Sequence, residues 1–234
     1  MNKNIKYVLP MLVIISTFLL LNIYLFNMKM NNYNSLEVLH KNIIISTKIS
    51  KLIHEIQLER GLSAAYNLSK GKRYKKVLLS QRSITDLKKA KLFEYLKLNN
   101  LNSSSLEEVL NKRILNKNRF QIDSLNFSDT QIIKFYANIN EKLLNIIINI
   151  SIISNDNEIS SDITAYINFL YAKEYAGLER ASGVKILTLN RNNNKHLNVI
   201  KLANLISKQE LSNGLFLKFS NKEFKELYKK GYKI

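Results

Sequence analysis

One proline, Pro10, and six glycines punctuate the whole of this 234-residue chain. A turn-rich β architecture needs more of both, because glycine supplies positive φ and proline pre-sets turn dihedrals. Leu, Ile, Lys, Glu and Asn dominate instead, a mixture that favours long helices. The expected fold class is all-α. At 46% hydrophobic residues the chain can bury one core of ordinary size with an accessory segment, or two small ones. The absence of Cys excludes disulfides, thiolate nucleophiles and thiolate metal sites.

Tyr7 to Phe26, YVLPMLVIISTFLLLNIYLF, is a run of 20 residues without a charge. That length of helix crosses a bilayer. Lys3 and Lys6 precede the run and Lys29 follows it, a bias that places the N-terminus in the cytoplasm and the remainder outside. A cleaved signal peptide is the competing reading, but the run is long for one and lacks a small-x-small cleavage site. The expected division is a cytoplasmic stub at 1–6, an anchor helix at 7–27 in the cell membrane, and an extracytoplasmic helical domain at 28–234.

The formal net charge is +18, from 36 Lys and Arg against 18 Asp and Glu. Clustered cations would point to phosphate backbones, but these are spread along every helical segment. The one dense cluster, KGKRYKK (Lys70 to Lys76), sits at a glycine-containing turn without a stacking array. Nucleic acid is therefore not an expected partner. A diffuse positive potential does concentrate small anions.

Apolar spacing predicts helices over Ser35–Leu68 and Tyr74–Leu98, and a short one capped by Ser105 with Glu108 in the capping-box position. Further helices are expected from Ser128 or Asp129 to about Ser154, from Asp162 to about Leu189, and from His196 to Phe219. Breaks fall at Asn99–Ser105, Ser154–Asp162 and Arg191–Lys195, and the end is short and basic. Long amphipathic helices with short polar joints make an antiparallel bundle.

Two segments inside these helices echo each other: LERGLSA (Leu58 to Ala64) and LERASGV (Leu178 to Val184). Only seven of the cations are arginine. Ile49, Ile53, Ile56 and Ser63 put Arg60 on the apolar stripe of its helix, and Tyr166, Leu170, Gly177 and Val184 do the same for Arg180. Both are expected to point inward. Gly177, with Ala176 and Ala181, leaves room beside the second cation. A buried guanidinium needs a partner, and two are open. One is a register-fixing ion pair with Glu55, Glu59, Glu174 or Glu179. The other is a planar oxyanion such as nitrate or nitrite, which two guanidinium forks can hold by paired in-plane hydrogen bonds.

The stretches QLERGLSAAY (Gln57 to Tyr66), QRSITD (Gln81 to Asp86), FYANINEKLL (Phe135 to Leu144) and AYINFLYAKEYAGLERASG (Ala165 to Gly183), with a later Gln209 to Phe216, resemble the successive motifs of the nitrate- and nitrite-sensing (NIT) domain. The resemblance covers roughly residues 35 to 220. It implies an all-helical sensor with ligand-binding arginines at Arg60 and Arg180; by their positions Ser63, Glu59, Glu179 and Gly177 are supporting candidates beside them, and Arg82, which falls in a family motif, is expected to be structural or secondary. It further implies a chemotaxis or kinase-type signalling partner. Receptors of this kind normally return through a second membrane helix to an output module. This sequence ends KELYKKGYKI with neither, which leaves a truncated sensor, a degenerate product, or a stand-alone sensor with a partner as the expectations.

No enzymatic constellation emerges. HEIQL at His54 lacks the second histidine of a zinc-binding HExxH, His40 and His196 lie far from it in the chain, and no glycine-rich phosphate loop is present. No metal or cofactor is expected. The alternative from a different class is a membrane-anchored helical scaffold that pairs with a second copy and uses its arginines structurally. A homodimer is expected under either reading.

Overall fold

The computed structural model describes residues 5–151, 157–188 and 195–231, and among these the regular structure is eight α-helices and no strand. They are α1 (Ile5–Leu68), α2 (Lys75–Leu98), α3 (Ser104–Val109), α4 (Lys112–Asp123), α5 (Asp129–Ser151), α6 (Asn157–Thr188), α7 (Lys195–Phe219) and α8 (Lys222–Gly231). The chain divides into two compact units, residues 1–42 and residues 43–234.

In the first unit the large apolar side chains from Met11 to Phe26 are exposed, Phe18 at 65% and Leu20 at 65%. This part of α1 is long and apolar enough to cross a membrane by length and composition. Three of its polar side chains bond back to the helix. Ser16 donates to the Val13 carbonyl at 2.9 Å, Thr17 to Ile14 at 2.9 Å and Asn22 to Phe18 at 2.7 Å. Back-bonding of this kind is what a polar group needs where no water can reach it.

The second unit holds the core. Ile45, Ile49, Leu52, Ile53 and Ile56 on α1 recur at three- and four-residue spacing and are all buried. α5 repeats the pattern with Ile132, Tyr136, Ile139, Leu143, Leu144 and Ile147. Each leucine or isoleucine fully buried in this way contributes about 1.5–3 kcal/mol. The helices run antiparallel. Residues 69–74 turn the chain so that Gln81 on α2 reaches back to Glu55 on α1 at 2.8 Å. Asn140 meets Glu174 while Asn145 meets Tyr171, which sets α5 against α6 in opposite directions. Ser161 near the start of α6 donates to the Phe219 carbonyl at the end of α7.

The α1–α2 turn depends on Gly71. Its φ is +75°, its amide closes α1 on the Tyr66 carbonyl at 3.0 Å, and a Cβ there would lie 3.1 Å from the Tyr66 hydroxyl. Any other residue would be strained and crowded at once.

Several boundaries differ from the sequence reading. The apolar N-terminal segment and the first bundle helix, expected as separate elements, are both part of α1. The short third helix is preceded by Ser103, not Ser105, and Ser103 bonds Glu107, not Glu108. A separate α4 follows it, capped by Asn111, whose side chain accepts from the Arg113 and Ile114 amides. The expected break at Ser154–Asp162 is helical from Asn157, because Ser161 and Asp162 are held by the α7–α8 corner through Phe219 and Asn221. Residues 154–156, and 191–194 of the Arg191–Lys195 loop, lie outside the described residues. The basic end is α8, whose Phe224 amide is capped by the Asn221 side chain and whose Tyr228 packs on Phe216 at a centroid distance of 5.1 Å.

Candidate functional site

Arg60 is 2% exposed, pointing inward as its place on the stripe predicts. Its partner is Glu174 of α6, itself 4% exposed. Arg60 Nη1 donates to Glu174 Oε1, while Nη2 stands off from Oε2 at 3.5 Å. Oε2 is held instead by amides: Gln57 Nε2 donates at 2.8 Å and Asn140 Nδ2 at 3.0 Å. One carboxylate from α6 is thus met by donors of α1 and α5, and the spacing explains the set. Gln57 and Arg60 lie one turn apart on α1, and Glu174 lies one turn before Gly177 on α6.

Gly177 is what lets the guanidinium lie there. A Cβ at this position would come 2.7 Å from Arg60 Nη2, so only a bare helix backbone admits the cation. Positions 173, 177 and 180 share one face of α6, which brings the side chains of Lys173 and Arg180 to either side of the same bare patch. Partial desolvation holds Lys173 below the ordinary lysine range; Glu55 opposes the shift and Arg180 adds to it.

Arg180 does not point inward. It is exposed, with no hydrogen bond or ion pair to any described residue, contrary to the expectation from its stripe. The reason is that α6 loses its covered face. Among its described side chains Glu174 is the last fully buried one, and Tyr175 to Gly183 are all at least partly open. Glu179 is half-buried on the same stretch.

The remaining candidates belong to a second buried network one layer away. Glu59 is fully buried and receives Arg119 Nε at 2.7 Å, Arg119 Nη2 at 2.8 Å and the Tyr136 hydroxyl at 2.9 Å. Arg119 Nη1 reaches on to both oxygens of Asp86 at 2.9 Å. Arg82 pairs with Asp123 at 2.8 Å and stands 3.7 Å from Glu59. Ser63 bonds the Tyr136 hydroxyl at 3.1 Å. Burial works against the Arg119 cation, but its bonds and charge attraction to Glu59 and Asp86 outweigh that and raise its pKa. Burial, reinforced by the Glu59 charge, pushes the Tyr136 phenol far above its ordinary value.

Sequence reasoning overlooked Gln57 and Asn140 as donors, and Arg119 altogether. Gln57 was legible as the i−3 neighbour of Arg60. Asn140 shows itself only as a polar residue on the apolar stripe of α5, and Arg119 likewise on α4 between Leu115 and Ile122. His40 and His54 are exposed. Among the described residues no group of three or more His, Asp or Glu is placed to hold a metal ion.

Residues 51–232 match the family model described as nitrate and nitrite sensing. A solved structure of the NasR transcription antiterminator shares the fold, with a TM-score of 0.77 at 21% identity. The match covers 86% of this chain and 56% of the antiterminator, so the chain spans little more than half of that protein's length. No curated protein matches the chain.

Proposed function

The chain belongs to the nitrate- and nitrite-sensing (NIT) family, and from that premise we propose that it is a membrane-anchored sensor whose ligand is nitrate or nitrite and whose first contact is Arg60. The observation that carries this is a guanidinium inside the bundle, against the bare backbone of Gly177, with only hydrogen-bond donors around the carboxylate it holds. A planar fork matches a planar oxyanion. Arg180, exposed one turn beyond Gly177 and without a hydrogen bond or ion pair among the described residues, is the second cation in this reading. It closes on the ion from the solvent side.

Ligand binding shifts a conformation only by favouring one state. An anion bridging Arg60 and Arg180 ties α1 to the end of α6 that is open in its absence, and α1 runs on without a break toward the apolar segment. The anchor is residues 7–27, with the N-terminus cytoplasmic and 28–234 outside, and the signal passes to a chemotaxis or kinase-type partner. Catalysis has no part in this function.

The Arg60–Glu174 pair supports a second reading, in which the arginine is a register-fixing strut of a dimerising scaffold. Calorimetric titration of the full chain in detergent micelles with sodium nitrate, nitrite and chloride separates the two. The sensor gives saturable nitrate or nitrite heat that is lost in Arg60→Ala and much reduced in Arg60→Lys, which keeps the charge and loses the fork. A folded wild type that is silent to both ions overturns the sensor reading.

A further inference from the structure

We infer that Glu174 is a resident anion in the Arg60 site, and that the ligand binds by displacing it and taking over the Gln57 and Asn140 amides. This rests on the sensor reading above and adds to it two binding residues and a built-in competitor. The carboxylate is a planar O–C–O group, the closest thing to nitrate or nitrite that a protein side chain offers. Each of its hydrogen-bond partners among the described residues donates: Arg60 Nη1, Gln57 at 2.8 Å and Asn140 at 3.0 Å. A donor-only cradle of buried groups is an anion site whichever anion fills it.

The fit of the resident is uneven. Arg60 Nη1 bonds Oε1 closely, but Nη2 lies 3.5 Å from Oε2, so the fork is not met by two parallel bonds. Glu174 is tethered to the α6 backbone and cannot square itself to the guanidinium, whereas an untethered oxyanion can. Asn140 is fully buried and its Oδ1 has no hydrogen-bond partner, so the bond from Nδ2 to Glu174 is what orients the amide. Such an amide is free to follow a different oxyanion.

Exchange of the two anions has a mechanical consequence. With Glu174 in place, the charge that holds α1 to α6 is part of α6. With a free ion in place the bound charge is no longer tethered to α6, the displaced carboxylate must leave the interior, and α6 can carry Arg180 toward the ion. Because the site is competition-competent only when Glu174 has withdrawn, the observed affinity is lowered by the fraction of time the cradle is vacant.

The test uses the full chain in micelles, as wild type, Glu174→Gln, Glu174→Ala and Asn140→Ala, titrated with nitrate and with nitrite and followed by thermal unfolding in equal concentrations of formate, nitrate and chloride. Nitrate is expected to bind the two Glu174 variants about tenfold tighter than wild type, the gain expected if the cradle is vacant about a tenth of the time. Asn140→Ala is expected to bind more weakly than wild type. Formate carries the O–C–O group that Glu174→Ala has lost, and should raise the melting temperature of that variant well beyond chloride, with little effect on wild type. Nitrate heat in wild type with no gain in either folded Glu174 variant overturns the inference and leaves the sensor reading intact. Formate rescue with no nitrate or nitrite heat in any variant does the reverse: the cradle stands and the nitrate reading falls. If Glu174→Ala does not fold, Glu174→Gln carries the comparison: it keeps the shape but loses the charge and turns one acceptor into a donor that faces donors, so it competes poorly for the cradle.

Discussion

At the scale of single residues the interior of this bundle is governed by charges that cannot be left alone. Glu59 has no exposed surface and depends on Arg119 for two hydrogen bonds. Arg119→Met fills the space but strands that carboxylate, and should lower unfolding free energy by about 3–5 kcal/mol in a denaturant titration. Tyr136, held above its ordinary value of 10.0, sets a pH dependence. In the unfolded chain the phenol loses its proton near that value, while in the fold it does not. Above it the folded state holds more protons, and stability falls as pH rises, by up to ~1.4 kcal/mol per pH unit. Tyr136→Phe should flatten that limb of the stability curve relative to wild type. Gly177→Ala poses opposed effects. Helix propensity gains about 1 kcal/mol, but the new methyl pushes Arg60 off buried Glu174, and breaking a buried pair costs about 3–5 kcal/mol. Net stability should fall in a denaturant titration, and nitrate heat, measured by calorimetry, should fall with it.

At the scale of elements, capping and tertiary support set the boundaries that propensity leaves open. α4 has 12 residues, too short to persist alone, and begins where Asn111 accepts from two otherwise unpaired amides at 3.0 and 3.2 Å. Asn111→Ala should cost about 1 kcal/mol of global stability, because α4 carries Arg119 into the core and cannot fray without exposing Glu59. Chemical denaturation monitored by far-UV circular dichroism reads the loss. α6 shows the converse: its first turn lies in a run of Ser, Asn and Asp that reads as a break. It is helical because Ser161 and Asp162 are bonded to the corner between α7 and α8.

At the scale of the whole molecule, a ligand that binds only the folded state adds RT ln(1 + [L]/Kd) to its stability. At a nitrate concentration a hundredfold above Kd that is about 2.7 kcal/mol. Thermal unfolding of wild type should therefore move up with nitrate beyond the shift in equal chloride, and Arg60→Ala should show only the shared salt effect. The net charge of +18 makes such a control necessary, since any anion screens self-repulsion.

The helical class, the apolar run at the N-terminus and the inward place of Arg60 were all determined by sequence alone. Each is a matter of local composition or of 3.6-residue periodicity, which says which side of a helix a residue occupies. Periodicity does not say what stands opposite. That Glu174 was the choice among four candidate glutamates, that Glu59 went to Arg119, and that Asn140 turned its amide to Glu174 are contacts across 34 to 114 residues of chain. Only the mutual placement of α1, α4, α5 and α6 decides them. Arg180 marks the limit most clearly. Its stripe points inward, yet burial needs a neighbour as well as a direction, and beyond Glu174 the described part of α6 has none that covers it fully.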